Sequence, residues 1–324
     1  MSREWTEITV IGEDDTGLIA EVTSFLFKRN VNILDIDQAV REGTFRMMMQ
    51  VDTSEMVTAQ PKFREDLEDL GDDFGVEMQI EFPSDSQNQS IAVLVTKESH
   101  CLERLLEAQN NGELGADIEV VIGNHDHLQP LAEEYDVPFH DVGDEKGTPD
   151  EERLLDLLGE YGVDVIALAR FIRILSPEVV FRYETQIINV HPSLLPAFPG
   201  AAAYRQALEE GARIAGVTAH YVTTDLDQGP IITQRAFNVP SNATEEDMKR
   251  LGQPLEAEAL LEAIKLHLND ELSVQFGRTE LENPDETDAQ LGAPDELNRI
   301  IPDGPTDGFD KATIDLDETA TADD

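Results

Sequence analysis

Over the first eighty residues the apolar positions switch between strand-like alternation and helical spacing. Residues 7–11 form a short apolar strand, and residues 13–17, rich in Asp and ending in Gly17, read as a turn. Leu18, Val22, Phe25 and Leu26 then recur on one face of a helix over 18–29. Residues 31–40 and 45–51 alternate around a break at Arg41-Glu42-Gly43, which predicts a hairpin. A polar helix over 61–70 and a strand over 76–82 complete a ferredoxin-like βαββαβ order.

Residues 84–90, all polar, read as a linker. Beyond it, runs rich in Val and Ile at 91–95, 118–122, 138–142, 163–168 and 186–190 alternate with helical patterns at 101–109, 127–135, 151–161 and 177–183. Such alternation predicts an α/β fold, a mostly parallel, Rossmann-like sheet covered on both faces. A helix near 204–210 leads to strands at 216–222 and 231–239. A closing helix spans 244–268, with Thr244 as N-cap and acidic residues in its first turn. The composition changes at Gly277: residues 280–324 hold fifteen acidic and two basic residues among scattered Pro and Gly. Such a segment buries too little apolar surface to offset ordering entropy, so a disordered, solvating tail is expected. The expected domains are therefore 1–83 and 91–276, with the linker 84–90 between them and the tail 277–324.

Charge narrows the function classes. Sixty-eight Asp and Glu against 23 Lys and Arg give a net charge of −45. Nucleic acid is excluded as a partner because phosphate backbones are held by basic surface, and the same balance argues against a membrane surface. No apolar run approaches the roughly 18 residues of a spanning helix, and the start lacks a basic-then-apolar leader, so a cytoplasmic protein is expected. Cys101, the one cysteine, has no intramolecular disulfide partner. Seven Lys against sixteen Arg, with so many carboxylates, suit a very salty cytosol, where screening reaches about 3 Å at 1 M salt. A chain that is merely acidic is the plainer alternative.

Two stretches carry candidate chemistry. Asn189-Val190-His191-Pro192-Ser193-Leu194-Leu195-Pro196, reaching Gly200, lies where the strand 186–190 ends, and ligands of open α/β sheets bind beyond such ends. Asn189 and His191 share one face of an extended chain, where an amide and an imidazole can polarise a carbonyl and stabilise an oxyanion. Taken alone, a core asparagine and a loop histidine is the simpler reading. The second stretch, Thr223-Thr224-Asp225-Leu226-Asp227-Gln228-Gly229-Pro230, follows a strand; a carboxylate there suits a general base, and Gly229 allows close backbone approach. An ordinary acidic turn is the competing reading. His125 and His127 flank Asp126, but zinc sites need three or four ligands at fitting spacings and neither His140 nor His220 completes one, so no metal is expected.

Together these stretches resemble the formyltransferase motif of enzymes that use 10-formyltetrahydrofolate. The resemblance covers about residues 91–270 and implies catalytic roles for Asn189, His191 and Asp227. Ala169-Arg170-Phe171-Ile172-Arg173-Ile174-Leu175-Ser176 is similar to the family's pterin-pocket segment. It implies substrate contacts at Arg170, Ile172, Arg173, Ile174 and Leu175, with Ser193, Gly200, Asp225 and Gly229 beside them; Arg170 and Arg173 are the first candidates for holding the folate glutamate tail. Glycinamide ribonucleotide formyltransferases carry a Gly-Ser-Asn turn that cradles a phosphate. The corresponding turn here, Thr96-Lys97-Glu98-Ser99-His100-Cys101-Leu102, has no glycine and instead resembles formyltetrahydrofolate deformylases, with Lys97 and His100 as substrate contacts. Asp14-Asp15-Thr16-Gly17-Leu18-Ile19-Ala20 resembles the ligand turn of an ACT domain, at Asp14, Gly17 and Leu18, though Asp15 and Thr16 depart from the family's usual Arg and Pro. An ACT domain ahead of a formyltransferase domain is the deformylase architecture.

The resemblance thus implies a hydrolase of one-carbon metabolism linked to purine biosynthesis, converting 10-formyltetrahydrofolate to tetrahydrofolate and formate with no cofactor. An amino-acid effector at the ACT domain and a homo-oligomer are implied as well. The alternatives are a glycinamide ribonucleotide formyltransferase with an added regulatory domain and a non-catalytic amino-acid sensor.

Overall fold

The structure, a computed structural model, describes residues 5–13, 16–41, 43–82, 89–269, 271–275 and 277–281. All of these except Leu281 belong to one unit, Met1–Glu280. Asp14, most of the expected linker 84–90 and the tail beyond Leu281 lie outside the described residues.

The N-terminal layer follows the expected order: β1 (Trp5–Glu13), α1 (Leu18–Lys28), β2 (Asn32–Arg41), β3 (Thr44–Asp52), α2 (Gln60–Phe74) and β4 (Val76–Glu81). Its antiparallel sheet runs β2-β3-β1-β4. Alternation decides which face is covered: Ile8 and Val10 of β1 with Phe45, Met47, Met49 and Val51 of β3 bury against Leu18, Val22, Leu26, Phe63 and Leu67 of the two helices. Gly17, at φ 100°, caps α1 in the left-handed region that favours glycine, and Leu18 beside it is core. The opposite face of the sheet carries Arg46, buried yet charged.

Beyond the boundary come β5 (Ser90–Val95), α3 (His100–Asn110), β6 (Asp117–Gly123), α4 (Gln129–Glu134), β7 (Phe139–Asp141), α5 (Glu151–Glu160), β8 (Val165–Ala169), α6 (Pro177–Arg182) and β9 (Ile187–His191). They are followed by α7 (Ala203–Glu209), β10 (Ile214–Tyr221), β11 (Ile231–Asn238) and α8 (Glu245–Leu268). The sheet order is β11-β10-β9-β8-β5-β6-β7; strands β7 to β9 pair in parallel, while β10 runs antiparallel to both neighbours. Strand β5 shows why it is apolar throughout: Ile91, Val93 and Val95 pack with α3 and α8, and Ala92 and Leu94 with α5 on the other face. The helix expected over 127–135 is divided. Residues Asp126–Leu128 form a 3-10 turn and α4 starts only at Gln129, because Pro130 has no N–H and suits a first turn.

Thr244 and Asp247 form a reciprocal capping box at the start of α8, as the sequence implied. A short hairpin of β12 (Leu272–Gln275) and β13 (Arg278–Leu281) carries regular structure past Gly277, where the composition predicts the tail to begin. Among the described residues no helix is long and apolar enough to cross a membrane.

The two layers meet through charge. Arg46 of β3 pairs with Asp37 of β2 at 3.1 Å and with Glu184, in the turn that feeds β9. Arg182 of α6 pairs with Glu77 of β4 at 2.6 Å.

Candidate active site

Strand β9 delivers Asn189 and His191 to the carboxyl edge of the sheet, and antiparallel β10 sets His220 opposite Asn189 and Thr218 opposite His191. The loop after β10 then returns Asp227 to the same place. That return depends on Gly229, since a Cβ there would lie 1.8 Å from the Tyr221 carbonyl oxygen, and Asp227 itself sits at φ 54°.

The hydrogen bonds fix which atoms face which. His220 Nδ1 donates to the Tyr221 carbonyl (2.8 Å), so its Nε2 accepts from Asn189 Nδ2 (3.1 Å). Burial lowers the His220 pKa, against the Tyr221 carbonyl and Asp227, which raise it; the ring is held neutral, as its bond from Asn189 requires. His191 Nε2 donates to the Phe198 carbonyl (2.9 Å), and its Nδ1 faces Asp227 Oδ2 at 3.3 Å, an ion pair whenever the ring carries its second proton. Asp227 Oδ2 also accepts from the Gly200 N–H (2.7 Å), and Oδ1 lies 3.9 Å from His220 Nε2. Both the His191 and the Asp227 side chain are 7% exposed. The arrangement offers a buried carboxylate between two imidazoles, with an amide beside it, and supports proton transfer next to an oxyanion site.

The other expected site residues divide by where they point. Ser193 is buried and bonds the Ala197 carbonyl, so it shapes the proline-rich loop, while Gly200, at φ 79°, contributes its N–H to Asp227. Asp225, two residues from Asp227, is exposed and lies 3.8 Å from Arg41 at the end of β2. Ile172 and Ile174 present apolar side chains to solvent, whereas Leu175 turns into the core behind α5 and α6 and does not reach the surface. Arg173 is exposed and holds the Lys146 and Gly147 carbonyls. Lys97 is exposed at the end of β5.

Arg170 does not present a free cation. At φ 63° its side chain turns inward, with Nε 2.8 Å from Glu98 Oε2 and 3.3 Å from Glu256 Oε2. Glu256, 1% exposed, also accepts from Tyr204 (2.6 Å) and from His100 Nε2 (3.2 Å). Burial pushes the Glu256 carboxyl up, but His100, Arg170 and Tyr204 together hold it below its ordinary value. His100, Cys101 and Glu256 place possible ligand atoms within 4.8 Å of one another, the one such grouping among the described residues. Its carboxylate already receives three donors, and burial raises the Cys101 thiol pKa well above its ordinary value, which works against the thiolate a metal needs.

Sequence reasoning passed over His220, Tyr204 and Glu256. His220 had a usable signal: with Thr218 it places polar residues at alternate positions of an otherwise apolar strand, on the face that pairs with Asn189 and His191.

Comparison with known proteins agrees with this anatomy. Residues 89–264 match the formyl transferase family and residues 7–81 the ACT domain. Formyltetrahydrofolate deformylase of Haemophilus influenzae is 39% identical over 268 residues, 82% of this chain and 95% of that protein. The Escherichia coli (strain K12) enzyme of the same name is 38% identical over 274 residues, 84% of this chain and 96% of its own. The solved deformylase of Pseudomonas syringae superposes with a TM-score of 0.59 at 30% identity, covering 87% of this chain and 95% of that one. Glycinamide ribonucleotide transformylase 1 of Symbiobacterium toebii, with a TM-score of 0.57 and 33% identity, covers only 60% of this chain and 94% of its own. With both domains present in this order, and relatives matched along nearly their whole length, the chain belongs to the formyltetrahydrofolate deformylase family.

Proposed function

We propose that this protein hydrolyses 10-formyltetrahydrofolate to tetrahydrofolate and formate. The observation that carries the reading is the buried Asp227 carboxylate set between His191 and His220 at the end of the strand that also bears Asn189. Asp227 orients a water and takes its proton as the water oxygen bonds to the formyl carbon. Asn189 gives one amide hydrogen to His220 and offers the other to the oxyanion; the His191 Nε2–H exchanges its Phe198 carbonyl partner for the same oxygen. The tetrahedral species then collapses: the bond from carbon to N10 breaks, N10 receives the proton held by Asp227, and the formic acid formed gives its remaining proton to solvent and departs as formate.

The folate lies against Ile172 and Ile174, whose exposed side chains suit a flat aromatic ring. Arg173 and Lys97, rather than Arg170, meet its glutamate tail, while Gly200 and Gly229 keep the loops close. His100, Ser193 and Leu175 support the pocket from behind, and Asp225 stands at its exposed rim. The reaction needs no cofactor, since the proton that N10 receives comes from the attacking water by way of Asp227. The ACT layer takes a small amino-acid effector at the turn of Gly17, which the buried Leu18 anchors to the core rather than touching the ligand, and its edge strands serve a homo-oligomer. The acidic surface suits a salt-rich cytoplasm. Formate release from 10-formyltetrahydrofolate with no added acceptor tests the reading, and its absence from folded protein would refute it.

A further inference from the structure

We propose that the Glu98–Arg170–Glu256 cluster determines acceptor specificity, keeping phosphorylated amines away from the formyl group so that water alone receives it. This rests on the hydrolytic reading above. Strands β9, β8 and β5 are parallel neighbours, so the residues after their carboxyl ends adjoin one another. His191 ends β9, Arg170 follows β8, and residues 96–99 follow β5. A second substrate approaching a formyl group held at β9 would settle over those neighbouring strand ends, because ligands of open α/β sheets gather there.

Within that ground, beside the exposed Lys97 and Arg173, the Glu98–Arg170–Glu256 cluster is negatively charged. Thr96 Oγ1 accepts from the Ile172 N–H at 2.9 Å, tying the two loops together. Arg170, the one cation of the cluster, is spent on two carboxylates, and Glu256 fastens the group to α7 and α8 through Tyr204. The fastening is built into the helix: a Cβ at Gly252 would stand 1.8 Å from the Tyr204 hydroxyl, so that hydroxyl reaches Glu256 only past a glycine. Two carboxylates against one guanidinium leave a negative excess. A phosphate group meeting it suffers like-charge repulsion at short range with little solvent to screen it. Water carries no charge and suffers none.

The test uses the full chain and glycinamide ribonucleotide as the phosphorylated amine. Glu98, 28% exposed, is the place to begin, since removing its charge leaves the buried Glu256–Arg170 pair intact. Glu98→Gln is expected to release formate within about threefold of the wild type, while binding the nucleotide at least about tenfold more tightly, with inhibition of formate release or formylation of the nucleotide to match. The double variant Glu98→Gln/Glu256→Gln, which leaves one positive charge, should bind it more tightly still. Direct calorimetric titration with the nucleotide needs no turnover. It therefore separates the two readings: absent formate release in every variant defeats the hydrolytic reading, whereas the titration judges the cluster. A wild type that binds the nucleotide as tightly as Glu98→Gln, or a folded Glu98→Gln that releases formate and ignores the nucleotide, would overturn the proposal.

Discussion

Asp227 draws its neighbours from three segments: His191 from a strand end, Gly200 from a proline-rich loop and His220 from an antiparallel strand. Replacing its carboxylate with an amide keeps the shape and removes the base. Asp227→Asn should therefore lower formate release by about 10²- to 10⁴-fold with folate binding retained, measured as kcat against KM. Turnover near that of the wild type would remove Asp227 from the mechanism. His220 gives a prediction in pH. Burial lowers its pKa below 6.5, so between that value and the folded pKa the unfolded chain binds more protons than the native state. Stability from this group is complete above the ordinary histidine value and is lost as pH falls. Urea unfolding of wild type and His220→Gln at pH 7.5 and at about pH 5 should show the wild type losing more on acidification. Equal losses would mean that His220 is not held neutral.

Among the elements, periodicity and punctuation made most of the fold legible: Leu18 with Val22 and Leu26 announced α1, and Thr244 with its acidic first turn announced α8. The site was half legible. Asn189, His191 and Asp227 stood beside strand ends, where side chains converge. Arg170 pointed the wrong way in sequence reasoning because its inward turn comes from a positive φ that a non-glycine residue does not advertise. Glu256 was lost among the many acids of α8, and its burial follows from Tyr204 crossing at Gly252, a contact between distant segments. The join between the domains was likewise out of reach, since nothing local ties Arg46 to Glu184. Burial raises the Glu184 carboxyl above its ordinary value, and Arg46 draws it only part of the way back. Arg46→Ala should cost about 3–5 kcal/mol in denaturant unfolding, by stranding partly buried carboxylate, and Arg46→Met/Glu184→Met should cost less than the single change. A single variant as stable as the wild type would mean that the pair does not hold the two layers together.

Across the whole molecule, charge sets the conditions under which the site can be assembled. A net charge of −45 pushes the native state apart at low ionic strength, and salt relieves it as the screening length falls from about 10 Å at 0.1 M to about 3 Å at 1 M. Thermal unfolding should therefore move upward by several degrees between those concentrations in potassium chloride, and a flat response would mean that the carboxylates are already neutralised within the fold. The same conditions serve the decisive assay. Purified protein in molar potassium chloride, given 10-formyltetrahydrofolate and no acceptor, should release formate and tetrahydrofolate in equal amounts, and Asp227→Asn should not. Formate that appears only when glycinamide ribonucleotide is supplied, or none at all from folded protein, would contradict hydrolysis at this site.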